Sequence, residues 1–347
     1  MASATQFEPA APRARGGLLS SLGRLLRRPE AGSFFGMIAV FVFFTVIAGD
    51  AFLSLAGLAS WLNVAAEVGI VALPIGLLMI AGELDLSIGA IIPASSLCVA
   101  IVAGHYGAPE AVGIAAALAI GLLVGFVNGF LVLRTGVPSL IVTIGTMFAV
   151  MGLTLGFAVL LTGATSTPLV PSPISKALFG QLVDDMFEVA IAWWLAIIAI
   201  MTYLLHISPF GNWIYALGGD RVSARNAGIP TERLTISLFM ISGFCAAFLG
   251  VCQAMTYQSA QVVGGQSFIF NSIMCVVIGG VLLTGGFGSV VGIVIGTITF
   301  AMVNQGIYFT PFDPNFGSVI IGALLLAAVL MNDTFRQMAL SYSKKKK

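Results

Sequence analysis

The sequence predicts an all-α fold, a polytopic transmembrane helix bundle of about ten spans, and three observations carry that reading. Hydrophobic residues make up 59% of the 347 positions and charged residues 8%, with a mean hydropathy of +1.05. Soluble domains carry about 25% charged residues, so this much apolar surface requires lipid as its solvent. The apolar stretches recur along the chain, and several fall short of the ~20 residues of a straight crossing, which points to broken or re-entrant helices. With spans placed at 34–49, 64–81, 88–104, 111–133, 140–162, 189–206, 234–257, 271–284, 290–307 and 316–331, every Lys and Arg except Lys176 falls on one side. An error of one span would scatter those charges over both faces, so the positive-inside rule sets both termini in the cytoplasm.

Taken in order, Arg13, Arg15, Arg24, Arg27 and Arg28 precede the first span, so residues 1–33 read as a cytoplasmic basic segment. Its stretch 18–28 mixes Leu with Arg and fits either an inner-leaflet surface helix or a solvated tail. A basic region this long is atypical of a secretory signal, so the segment is expected to be retained. Residues 34–331 read as the transmembrane domain, with a charged connection at 207–233, and 332–347 as a cytoplasmic basic tail carrying Arg336, Lys344, Lys345, Lys346 and Lys347.

Cys98, Cys245, Cys252 and Cys275 fall inside spans without a C-x-x-C pair and read as small apolar fillers. His105 and His206 have no neighbouring ligands, so no metal is expected. A P-loop would need Gly before a Lys that is followed by Ser or Thr, and no lysine here has that setting. H-E-x-x-H and G-x-S-x-G are absent too, so neither ATP hydrolysis nor intramembrane hydrolysis is expected of this chain. It needs no cofactor of its own; ATP and Mg would belong to a partner.

Glu67, Glu83 and Asp85 are the acids nearest the bilayer interior, and no basic residue is expected inside to pair with them. Gly82, Glu83, Asp85, Ser87 and Gly89 mark a helix break, where Asp85 or Ser87 would cap the next helix in preference to touching solute. Glu67 is placed in the first turns of the second span, as a pore-facing acceptor or at the outer interface. In the 207–233 connection, Asp220 suits an N-cap, Gly228 a left-handed C-terminal residue and Pro230 a stop, so a short surface helix is expected. A docking element and a solvated connector are both compatible with that chemistry.

Uncharged amides beside apolar walls suit a hydroxylated solute that must bind weakly enough to leave, which makes Asn128, Gln253, Gln258, Asn271, Asn304 and Gln305 the candidate path. The same residues could act as interhelical glue worth roughly 0.6–2 kcal/mol each. Gly125 and Gly129 form a small-x-x-x-small pair for close helix approach. Val127-Asn128 followed by Ile144-Gly145 is echoed by Val303-Asn304 followed by Ile321-Gly322, in opposite orientation, as inverted repeats would place them.

Together, Ala81-Gly-Glu-Leu-Asp-Leu-Ser-Ile-Gly89, Tyr215-Ala-Leu-Gly-Gly-Asp220, Ala227-Gly-Ile229, and Gly279-Gly280 followed by Gly285-Gly-Phe-Gly288 resemble the permeases of ribose-type ABC importers, in the family's order. The resemblance implies a bacterial inner-membrane permease for a sugar or sugar-like solute, a monosaccharide or polyol. It also implies a second permease copy or homologue, a periplasmic solute-binding protein and a cytoplasmic ABC ATPase. Asp220, Arg221, Val222, Ser223, Ala224, Arg225, Asn226, Ala227 and Gly228 would then be the coupling helix to that ATPase. The chain departs from the pattern at Arg221, Val222 and Ser223, where many relatives carry Glu-Ala-Ala, and at Glu83, usually apolar in ribose permeases. Ile269 and Asn271 likewise replace acids near the eighth span, so ribose itself does not carry over. The competing class is an ion-coupled secondary transporter of a small polar solute, with Glu67, Glu83 and Asp85 as coupling groups.

Overall fold

The computed structural model describes residues 30–180, 182–183 and 186–313, with positions 319, 322–323, 326–327 and 330 beyond them. The tail, nearly all of the basic N-terminal segment, Ile321 of the internal echo and most of the expected tenth span lie outside the described residues.

Eight helices among the described residues are long and apolar enough to cross a membrane. They are α1 (Ala31–Ala48), α2 (Leu55–Ile80), α3 (Ile88–Val99, continued by a π turn to His105), α4 (Glu110–Thr135), α5 (Ser139–Thr162), α6 (Ala190–Thr202, continued by a π turn to Ile207), α9 (Thr231–Tyr257) and α11 (Val290–Gly306). Two helices lie between α6 and α9, namely α7 (Pro209–Gly219) and α8 (Arg221–Asn226), and the 13-residue α10 (Gln266–Ile278) precedes α11. Four short strands form two antiparallel pairs: β1 (Ser166–Pro168) with β4 (Ser259–Gln261), and β2 (Leu182–Val183) with β3 (Phe187–Glu188).

Two boundaries differ from expectation for identifiable reasons. Helix α2 begins nine residues before the expected 64, because the Ser54 hydroxyl accepts the Gly57 N–H at 3.0 Å and so caps a helix that enters through Trp61 and Asn63. The eighth span, expected to reach 284, ends at Ile278. There Gly280 turns left-handed (φ 87°), and the Val281 N–H returns to the Val276 carbonyl at 3.2 Å. Helix α2 ends the same way at Gly82 (φ 84°), with the Glu83 N–H on the Leu78 carbonyl at 2.9 Å. Both are Schellman turns, which glycine allows without steric cost. Apolar residues 281–283 continue past the second turn, so hydropathy alone runs through it.

Helices α2, α3, α9 and α11 are the most buried, and α1, α4, α5 and α6 flank them. Helix α2 packs on α9, α10 and α11; α9 packs on α2, α3 and α4; α3 also meets α4 and α10, and α10 meets α11. Exchanging α2 with α9, α3 with α10 and α4 with α11 leaves this set of contacts unchanged. With the shorter α10 counted beside the eight long helices, the exchanged helices stand five apart in chain order, the relation of inverted-topology repeats. The α4–α9 contact is a backbone-to-backbone approach: a Cβ on Gly121 would lie 2.2 Å from the Gly243 carbonyl oxygen, and one on Gly125 would lie 2.3 Å from that of Phe239.

Candidate functional site

One end of the bundle carries Arg134, α7, α8 and the two Schellman turns. The expected break, 82–87, starts at the first turn, and within it lies Asp85, 1% exposed. Its Oδ1 accepts the Ser87 N–H at 3.0 Å and the Ser87 hydroxyl at 2.6 Å, and its Oδ2 accepts the Ser242 hydroxyl at 2.8 Å. A buried carboxylate is tolerable only when its lone pairs are met in this way. Asp85 thus closes a turn onto the residue before α3, and Ser87 itself makes no side-chain cap bond. Ser87 Oγ accepts from Asn128 Nδ2 at 2.8 Å, and Asn128 Oδ1 accepts from the Thr146 hydroxyl at 2.6 Å. The chain of bonds therefore runs from α9 through the break to α4 and α5. Asn128 is wholly buried with both ends of its amide bonded, an arrangement of the kind that ties helices together.

Contrary to expectation, Glu83 has a basic partner: the Arg221 guanidinium donates to its Oε1 and also to Thr235 Oγ1 at 3.3 Å. The reason is tertiary, since α7 and α8 fold back beneath the break. Helix α8 forms as its end signals predict, with Asp220 accepting the Ser223 N–H at 2.6 Å and Gly228 left-handed at φ 84°. The unforeseen α7 seats it. The Tyr215 hydroxyl donates to the Gly288 carbonyl at 2.7 Å, and a Cβ on Gly218 would collide with the Ile80 carbonyl oxygen. That same carbonyl accepts the Gly286 N–H at 2.8 Å, so main chain from both breaks and from α7 meets at one point. Gly82 and Gly89 complete the break motif. Gly82 makes the turn, and Gly89 lets α3 approach Ile269 and the Gly265 carbonyl.

At the opposite end a cavity of about 270 Å³ opens between α3, α9, β4 and the start of α10. Ser96, Gln253, Tyr257, Ser259 and Gln261 give it hydroxyls and amides, against Ile92, Pro93, Val263 and Phe268. It lies just below the ~300 Å³ at which ligand clefts commonly begin. Behind this wall sits Glu67, in the middle of α2 and not in its first turns, taking the Tyr257 hydroxyl at 2.8 Å and Gln253 Nε2 at 3.2 Å. Asn63, one turn earlier, ties the β2–β3 hairpin to α2 through the Glu188 N–H (3.0 Å) and the Met186 carbonyl (2.8 Å). Burial, reinforced by the Glu67 carboxylate, raises the Glu188 carboxyl from 4.5 to about 7.

The six amide candidates are not gathered in one place. Gln253 lines the cavity; Gln258 is the exposed left-handed residue (φ 53°) that ends α9; Asn271 is half-buried on α10. Gln305 accepts the Ser60 hydroxyl at 2.9 Å and donates to Asn304 Oδ1 at 3.1 Å, which pins α11 to α2. Sequence reasoning missed Ser96, Tyr257, Ser259 and Gln261; Ser95-Ser96, a polar pair inside an apolar run, was the available signal.

Residues 57–329 match the family described as branched-chain amino acid transport system / permease component. The chain belongs to this family. It is 30% identical over 305 residues to the ribose import permease protein of Bacillus subtilis (strain 168), covering 87% of this chain and 92% of that one. It is 29% identical over 326 residues to the fructose import permease protein of Rhizobium meliloti, covering 93% and 90%. A probable ABC transporter permease protein of Escherichia coli (strain K12) is 29% identical over 296 residues, covering 85% and 87%. No solved structure matches the chain at comparable significance. The protein is thus a multi-pass membrane permease component of the ABC import type, a transport subunit that leaves ATP hydrolysis to a partner.

Proposed function

We propose that this permease carries a monosaccharide or polyol across the bacterial inner membrane, with both termini in the cytoplasm. It works beside a second copy or a homologue, takes solute from a periplasmic binding protein and is driven by a cytoplasmic ATPase that docks on 220–228. One observation carries the reading. The bundle is polarised, with a capped, exposed helix seated on two broken helices at its Arg-bearing end and a cavity lined by amides and hydroxyls at the other. Hydroxyl-rich solutes need such groups to replace water while still letting go. Neutral donors and acceptors face this cavity, which favours sugar-like solutes over the amino acids of the family's heading. Those would need a charged partner for each end group.

The ion-coupled alternative loses two of its three candidate acids, since Glu83 is paired with Arg221 and Asp85 has three donors. The test is gentle extraction of the tagged chain from its host and identification of what accompanies it, followed by uptake assays in proteoliposomes. Recovery of a P-loop ATPase and ATP-dependent uptake of a sugar or polyol are expected. Uptake by the chain alone under a proton gradient would overturn the proposal.

A further inference from the structure

We propose that Arg221 and Glu83 form a tie through which displacement of α8 reaches α5, an inference that rests on the docking role given to 220–228 above. Arg221 is the first residue of α8, and Glu83 immediately follows the Schellman glycine that ends α2. Glu83 is buried and the Arg221 side chain is 40% exposed, so the guanidinium reaches from the surface of the bundle's underside to a buried acid. The other cation of α8 behaves differently: Arg225 reaches only Glu232 at 3.8 Å, and both of those side chains are largely exposed. Among the described residues Arg221 is therefore the one charged side chain of α8 paired with a buried group of the bundle.

From Glu83 two short routes lead to α5. The adjacent Leu84 N–H donates to the hydroxyl of Ser139, the first residue of α5, at 3.0 Å. Two residues on, Asp85 and Ser87 connect through Asn128 to Thr146, two turns further along the same helix. Helix α5 is little buried along its length: of its 24 residues only Ser139, Thr143, Met147 and Ala158 are buried, and Leu153 is 58% exposed. A force applied to α8 thus enters the break through a charged contact and leaves it through hydrogen bonds on the least buried of the long helices. Glycine packing at Gly218 keeps α7 against the same break, but it carries no side chain that can pull.

The test uses the complex of full-length chain, co-purified ATPase and binding protein in lipid nanodiscs. Cys98, Cys245, Cys252 and Cys275 are replaced by Ala and a nitroxide is placed at Leu153→Cys. Trapping with ATP and vanadate should change the nitroxide spectrum in the otherwise unaltered chain. Glu83→Gln, Arg221→Gln and the double variant should each keep the ATPase at unchanged stoichiometry yet reduce that spectral response at least fivefold. The double variant should lose no more than either single one, because both remove the same contact. A response in either single variant equal to the parent's overturns the tie, as does an additive loss in the double variant or no response in the parent. Loss of the ATPase from a single variant overturns it too, by making the pair a docking contact. A parent chain that retains no ATPase overturns the importer reading itself, and the tie with it.

Discussion

Replacing Gly243 by Ala places a Cβ 2.1 Å from the Gly121 carbonyl oxygen, with the Gly121 carbonyl carbon at 3.0 Å. The closest ordinary C–H···O contacts lie at ~3.3 Å, so α4 and α9 must part by about 1.2 Å where they touch. The obstructing atoms are main chain and cannot rotate away. The cost therefore belongs at the upper end of the roughly 1–3 kcal/mol typical of overpacking, against a gain of about 0.5–1 kcal/mol for Gly→Ala in a helix. The matched control is Gly152→Ala on α5, where the new Cβ meets nothing within 4 Å. Heating both variants in detergent, with the surviving monodisperse fraction read by fluorescence-detected size exclusion, should show Gly243→Ala melting several degrees below Gly152→Ala. Because membrane proteins usually unfold irreversibly, heating rate and detergent must be identical. Equal midpoints would refute the tight α4–α9 contact and, with it, the backbone-level packing assigned to that half of the bundle.

Asp85→Ala leaves the Ser87 N–H and the Ser87 and Ser242 hydroxyls without their acceptor. At about 1–3 kcal/mol per stranded buried group, monodisperse yield should collapse, and Asp85→Asn, which keeps one oxygen, should fall between it and the parent. Glu188 makes stability depend on pH. Its carboxyl is raised from 4.5 to about 7, so the fold favours the protonated form; the contribution is complete below 4.5 and is lost as pH rises through 7. The melting midpoint should therefore drop between pH 5 and pH 8, and Glu188→Gln should flatten that slope. Gln253→Ala should lower solute uptake several-fold while leaving copurification of the ATPase unchanged, whereas Gln258→Ala, which lies outside the cavity lining, should leave uptake unaltered.

Hydropathy recovered the membrane-length helices among the described residues because each long apolar run is a property of contiguous residues, and α8 was legible because Asp220 and Gly228 are local signals acting within a few residues. What escaped is tertiary. Glu83 and Arg221 stand 138 positions apart, so nothing local could pair them. Ser96 and Tyr257 reach one cavity only because α3 and α9 pack together. Residue type alone could not sort the amides: Asn128 and Gln253 look alike in sequence, yet one is sealed among hydroxyls and the other lines a cavity. The start of α2 was missed because Trp61 and Asn63 dilute the apolar signal that Ser54 had already opened.

The short β1–β4 ribbon has a geometric consequence for α5. Just past that helix, β1 pairs with β4, the Val262 N–H donates to the Thr165 carbonyl at 3.1 Å, and the Leu169 N–H donates to the Gln258 carbonyl at 2.9 Å. At its other end Ser139 holds Leu84. A rod anchored at both ends can bow or tilt about an anchor, but it cannot slide along its own axis. Any opening it creates beside the inner helices must therefore taper, wide at mid-bilayer or at one mouth and narrow at the other, and will not form a parallel-sided slot.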